Sequence, residues 1–116
     1  MTQQPTDDTV IGIDLGTTNS LAAIAGSDGP RILRNSNNEP LIPSVVSFLD
    51  NGDHVVGARA RAMSIVNAKR TVHSVKRLMG RSLEDVAEDA RHLAYTLAAD
   101  ETNNLARIVI DDRLIT

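Results

Sequence analysis

The sequence predicts an α+β fold, and three observations predict it. Short apolar runs separated by Gly, Pro, Asn and Asp occupy both ends of the chain, as strands and turns do. Between Gly57 and Arg91 the apolar residues move to helical spacing. No internal repeat or low-complexity tract breaks this order of strands, helices and strands.

The elements follow in order. Met1 to Thr9 is polar and reads as a flexible tail. Val10 to Leu15 is an apolar run ending at Gly16, a buried strand by pattern. Leu21 to Ala25 and Arg31 to Arg34 are two further strands, separated by the turn residues Ser27-Asp28-Gly29-Pro30. Their close spacing predicts an antiparallel meander. Asn35 to Pro43 is a loop bounded by Pro40 and Pro43. Ser44 to Leu49 and Val55-Val56 form a hairpin across Asn51-Gly52, residues that accept positive φ in a two-residue turn.

Three helices are expected next. Ala58, Ala62, Ile65 and Val66 mark the first, ended by Asn67. Thr71 caps a second, with Val72, Val75, Leu78 and Met79 on one face and Gly80 as its left-handed C-terminal cap. Ser82 followed by Glu84 and Asp85 caps a third, ending near Arg91. Leu93 to Ala99, Leu105 to Ile110 and Arg113 to Thr116 are closing strands, turning at Asn103-Asn104 and Asp111-Asp112. The last strand has no polar tail after it, which suggests a piece of a longer protein.

Composition bounds the function. The chain has 116 residues, the length of one small domain, and a domain of this size buries roughly two thirds of its unfolded surface. It is 41% apolar and 23% charged, which argues against disorder through most of its length. Cysteine is absent, so disulfides and thiolate metal sites are excluded. Twelve basic and 15 acidic residues give a net charge of -3, too balanced for a protein that grips nucleic acid. One Phe and one Tyr cannot build base-stacking platforms, and they leave the core to Ala, Val, Ile and Leu. There is no apolar run of about 18 residues and no basic-then-apolar opening, so neither a membrane span nor a secretory signal is expected. The expected location is cytoplasmic.

The stretch Ile11-Gly12-Ile13-Asp14-Leu15-Gly16-Thr17-Thr18-Asn19-Ser20 carries the most chemistry. A strand delivers Asp14 to its end, and Gly16 lets the backbone turn closely. The N–H groups, hydroxyls and amide of Thr17, Thr18, Asn19 and Ser20 suit an anion. A carboxylate beside them makes sense if a divalent cation lies between it and a phosphate. A plain hairpin with a polar turn fits the spacing equally well. Neither the lysine of the P-loop nor the three glycines of the dinucleotide fold is present.

Gly12 to Ser20 resembles the first phosphate motif of the heat shock protein 70 (DnaK-type) chaperones, whose ATPase domain belongs to the actin and sugar-kinase superfamily. Ser74-Val75-Lys76-Arg77-Leu78-Met79-Gly80-Arg81 is similar to their helix bearing the catalytic lysine. Pro43-Ser44-Val45-Val46 resembles the approach to their outer subdomain, and Val55-Val56-Gly57 the strand before its first helix. The likeness runs from about Val10 to Thr116. Leu41 to Val46 and Ser74 to Leu83 look closest to the iron–sulfur-assembly (HscA-like) branch.

The resemblance implies an actin-like, ribonuclease-H-like ATPase fold, with residues 10–36 as the first-lobe meander and 37–116 as the outer subdomain. It implies ATP or ADP with Mg2+ as cofactors. Asp14 would act on the metal through water. Gly16 would keep the loop tight, and Thr17, Thr18 and Asn19 would contact the β- and γ-phosphates. Lys76 would be catalytic, orienting the attacking water at the γ-phosphate. Unfolded clients, a J-domain co-chaperone and a nucleotide exchange factor are the implied partners, without nucleic acid or membrane. The family's second phosphate loop, adenosine loops and catalytic glutamate lie beyond the equivalent of Thr116. The 116-residue chain is therefore expected to be inactive in hydrolysis and, with Ile11, Ile13, Leu21 and Ile24 uncovered, to self-associate. A sugar-kinase start and a stand-alone, non-enzymatic co-chaperone-binding module are the alternatives.

One departure stands out. The family carries Pro-Ala-Lys-Arg where this chain has Ala58-Arg59-Ala60-Arg61-Ala62. By the resemblance, basic residues there clamp the nucleotide cleft; Arg61 replaces the lysine but Ala62 lacks the following arginine, which implies a weaker clamp and faster nucleotide exchange. His54, His73 and His92 have no ligand spacing and read as neutral structural residues. Glu84, Asp85, Glu88 and Asp89 read as a solvated face, and Arg77 and Arg81 as structural.

Overall fold

The structure of the protein, a computed structural model, describes residues 9–115. The tail expected over residues 1–9 lies outside them apart from Thr9. Three antiparallel sheets follow one another along the chain, and the α+β class holds with far more strand than helix.

The first sheet is the expected meander: β1 (Ile11–Leu15), β2 (Asn19–Gly26) and β3 (Gly29–Ile32), in that order. β3 begins earlier than expected, because Gly26 pairs with Gly29 and only Ser27-Asp28 turn. The short β4 (Ile42–Pro43), read from sequence as loop, pairs with Asn19 and Ser20 at the start of β2.

The second sheet has the order β6-β5-β7, with β5 at Val45–Phe48, β6 at His54–Val56 and β7 at Thr71–His73. The β5–β6 hairpin turns through Asp50, Asn51 and Gly52, because the Leu49 N–H bonds the Asp53 carbonyl at 2.8 Å. The turn is one residue longer than expected. Gly52 takes its left-handed position at φ 85°, and Asn51 Oδ1 accepts the Asp53 N–H.

The helices fall short of expectation. α1 covers only Ala58–Ala62, with Ala60 wholly buried against β5. Turns carry the chain on to Asn67. The expected second helix is absent: Thr71 to His73 is β7, Ser74 turns left-handed at φ 58°, and Val75–Arg77 is one 3-10 turn. Thr71 and Val72 are β-branched, and pairing with β5 buries both, so tertiary contact overrides the apolar spacing. The third helix shrinks to α2, Ala87–Ala90. Ser82 Oγ does accept the Asp85 N–H at 3.1 Å, as its capping role predicts. Its backbone, however, bridges Leu105, the residue before strand Ala106–Ile110 of the third sheet, so helical pitch begins only later.

The third sheet, order β10-β9-β8, comprises β8 (Thr96–Ala99), β9 (Ala106–Ile110) and β10 (Arg113–Ile115). Asp111 and Asp112 both have positive φ, 47° and 67°, and form the tight turn between β9 and β10. The core gathers Val72, Leu78, Val86, Tyr95, Ile108 and Ile110 between the second and third sheets.

Candidate functional site

β1 delivers Asp14 opposite Leu21 and ends with Leu15 opposite Ser20. Gly16, Thr17 and Thr18 make the connection. A Cβ on Gly16 would lie 2.1 Å from the Asn19 carbonyl oxygen, so the loop closes to a distance that only glycine permits. Asp14, Thr18 and Asn19 are exposed, Gly16 and Thr17 half-buried.

The loop is held from Ser44, the residue between β4 and β5. The Ser44 N–H donates to the Thr18 carbonyl at 2.8 Å, and Ser44 Oγ donates to the Gly16 carbonyl at 2.8 Å. Ser20 Oγ lies 2.7 Å from Ser44 Oγ. Because the single Ser44 hydroxyl hydrogen is used on Gly16, Ser20 is the donor in that contact.

Lys76 sits in the 3-10 turn after β7, exposed, with no hydrogen bond or ion pair among the described residues. The backbone brings its segment to the loop's neighbourhood through one junction. Ser44 holds the loop, while the next residue, Val45, pairs with His73, three positions before Lys76. The left-handed Ser74 turns the chain out of β7 toward that lysine. Tyr95 fixes the bend from below: its hydroxyl donates to the His73 carbonyl at 2.5 Å, and its ring meets His73 edge-on.

Asp14, Gly16, Thr17, Thr18 and Asn19 thus lie together at the β1–β2 connection, and Lys76 stands in the turn after β7 of the adjoining sheet. No cluster of three metal-ligating side chains occurs among the described residues. The displaced titrations lie elsewhere. Burial pushes the Tyr95 hydroxyl up to about 12. The hydroxyl and N–H of Thr102, then Arg107, hold the Asp100 carboxyl well below the usual range. His54 faces Phe48, and Arg81 bonds Asp89 and the Asp85 carbonyl. Sequence reasoning missed Ser44 and Ser20 as supports of the loop. Their partners lie 28 and 24 residues away from Ser44, beyond any local pattern.

A strand-turn-strand loop is thus braced by Ser44, and a lysine with no partner among the described residues follows β7 of the second sheet. The family description "Hsp70 protein" matches residues 10–113. The chain is 41% identical over 96 residues to "Heat shock 70 kDa protein 6, chloroplastic" of Arabidopsis thaliana, covering 83% of this chain and 13% of that protein. It is 40% identical over 96 residues to "Stromal 70 kDa heat shock-related protein, chloroplastic" of Pisum sativum, covering 83% of this chain and 14% of that protein. The chain belongs to the Hsp70 family. This favours the chaperone reading over a sugar-kinase start or a stand-alone module. The cytoplasmic location expected from the sequence does not stand, since both relatives are chloroplastic by name.

Proposed function

We propose that this chain is the opening part of the nucleotide-binding domain of an Hsp70-family chaperone, of actin-like ATPase fold. Residues 10–36 would belong to the first lobe and 37–116 to the outer subdomain. In the whole protein, ATP binding and hydrolysis would drive binding and release of unfolded clients, with a J-domain co-chaperone and an exchange factor as partners. The observation that carries the reading is the Ser44-Val45 junction, which ties the Gly16 loop and the Lys76 segment to two adjacent residues. The finer likeness to the iron–sulfur-assembly branch rests on Leu41 to Val46 and Ser74 to Leu83 alone.

The residues suit magnesium and a polyphosphate. Gly16 has no room for a side chain, which leaves bare backbone at the loop. Asp14 offers one exposed carboxylate, and Mg2+ takes one or two carboxylates, keeps several waters and fills its shell with phosphate oxygens. When bound, Mg2+ would neutralise phosphate charge. Thr17, Thr18 and Asn19 would hold the β- and γ-phosphates through N–H and side-chain groups. The Lys76 ammonium, unpaired among the described residues, would balance γ-phosphate charge and orient water. With Ala62 in place of a family arginine, fewer cations would hold the cleft shut, and nucleotide would exchange faster.

Magnesium-ATP titrated into this chain, followed by amide NMR, tests the reading. Thr17, Thr18 and Asn19 amides are expected to shift, with no hydrolysis. Asp14→Ala should abolish the magnesium dependence, and Lys76→Ala should leave binding nearly intact. Shifts spread elsewhere, with these three amides unmoved, would overturn it.

A further inference from the structure

The geometry points to Ser44 as a positioning residue that sets the direction of the loop's N–H groups, a role that rests on the phosphate-binding reading above. Ser44 is the first residue after β4, which pairs with Asn19 and Ser20. It engages the loop twice, donating its N–H to the Thr18 carbonyl and its hydroxyl to the Gly16 carbonyl, each at 2.8 Å. Both accepting carbonyls are therefore turned toward Ser44. The chain has no cis peptide bond among the described residues, and in a trans peptide the N–H opposes the preceding C=O. The Thr17 and Asn19 N–H groups must then face away from Ser44, and an anion would meet them on that side.

The hydroxyl and the N–H do different work. The N–H bond continues the β2–β4 ladder and survives any substitution except proline. The hydroxyl bond is the one that orients the Gly16–Thr17 peptide, which belongs to no strand. Removing it leaves a half-buried carbonyl without that partner and lets the peptide rotate. Ser20 supports the arrangement by donating to Ser44 Oγ at 2.7 Å, which holds the rotor so that its hydrogen points at Gly16. None of these bonds involves Asp14 or Lys76, so Ser44 acts through the loop backbone.

The test compares magnesium-ATP affinity, read from the Thr17 to Asn19 amide shifts, in four forms of the chain: unaltered, Ser44→Ala, Ser44→Thr and Ser47→Ala. Ser44→Ala should weaken binding roughly tenfold, the equivalent of one hydrogen bond. Ser44→Thr, which keeps the hydroxyl, should restore it to within about threefold of the unaltered chain. Ser47→Ala removes a wholly buried hydroxyl from β5, three residues further on, and should lower the melting temperature while sparing affinity. Unaltered affinity in Ser44→Ala, or an equal loss in Ser47→Ala, overturns the inference and leaves the phosphate reading standing. Absent binding in the unaltered chain is the separate failure of the phosphate reading, and the Ser44 role falls with it. If Ser44→Ala does not fold, Ser44→Cys keeps the volume with a weak donor and carries the same expectation.

Discussion

A methyl group on Gly16 would meet the Asn19 carbonyl oxygen at 2.1 Å, and that oxygen belongs to the backbone. It cannot swing aside as a side chain would. Gly16→Ala is expected to open the loop and cost about 1–3 kcal/mol, measured by urea unfolding, with loss of the ATP-induced shifts at Thr17 to Asn19. At this scale the sequence was a partial guide. Gly16 was legible as a residue needed for close approach, because glycine before a polar run has few other uses. Ser44 was not, since serine is common after proline and its two acceptors are set only by folding. Nor was the hydrogen-bonded trio of buried Ser47 and Thr71 with half-buried Asn67. Thr71 Oγ1 donates to the Asn67 carbonyl at 2.8 Å, Ser47 Oγ donates to Thr71 Oγ1 at 2.9 Å, and Asn67 Nδ2 donates to Ser47 Oγ at 2.8 Å. Asn67 does not end the first helix, which stops at Ala62; it precedes the 3-10 turn Ala68–Arg70, and its side chain serves a strand 20 residues earlier.

Among elements, those with local causes were legible and those with distant causes were not. The Asp111-Asp112 and Asn51-Gly52 turns follow from residues that tolerate positive φ. The segment from Thr71 to Gly80 has helical apolar spacing, but two surfaces compete for it. β5 captures Thr71 to His73, and the core takes Val72 and Leu78 from opposite sides of the Ser74 bend. Tyr95 secures that bend from β8's side through the His73 carbonyl. Its folded pKa of about 12 lies above the ordinary 10.0, so the neutral hydroxyl is favoured by folding. The resulting stability is complete below pH 10 and is lost as pH rises through 12. Tyr95→Phe is expected to remove this alkaline loss and to cost about 1 kcal/mol at neutral pH, read from thermal melts against pH. With one tyrosine in the chain, tyrosinate absorbance reports its titration directly.

At the scale of the whole molecule, the described chain is long and open. Its radius of gyration is 17.7 Å, with extents of 57 × 33 × 27 Å, against about 13 Å for a compact chain of this length. The second and third sheets share the core, whereas the first projects with β1 exposed at every residue. Ile13 is 72% exposed and Ile11 56%, beside an unpaired strand edge. Such an edge recruits further strands. We expect the chain to self-associate, and Ile13→Lys to shift it toward monomer in size-exclusion chromatography with light scattering while leaving the melting temperature within a few degrees. A monomeric unaltered chain would refute this. Composition forecast a mainly aliphatic core, but Tyr95 joins it and Phe48 packs against it. It could not forecast that the core would exclude the meander, because burial depends on which sheets face each other.

The adjacency of Ser44 and Val45 also has a consequence for how this segment tolerates change in length. Loop and lysine are both referenced to the same two residues, so the excursion from Leu49 to Val66 is a side branch of the mechanical path between them. Residues added or removed at the Asp50–Gly52 tip would lengthen or shorten that branch without altering the spacing of the two groups that a phosphate would meet. Inserting one residue at Ser44-Val45 would put them out of register at once.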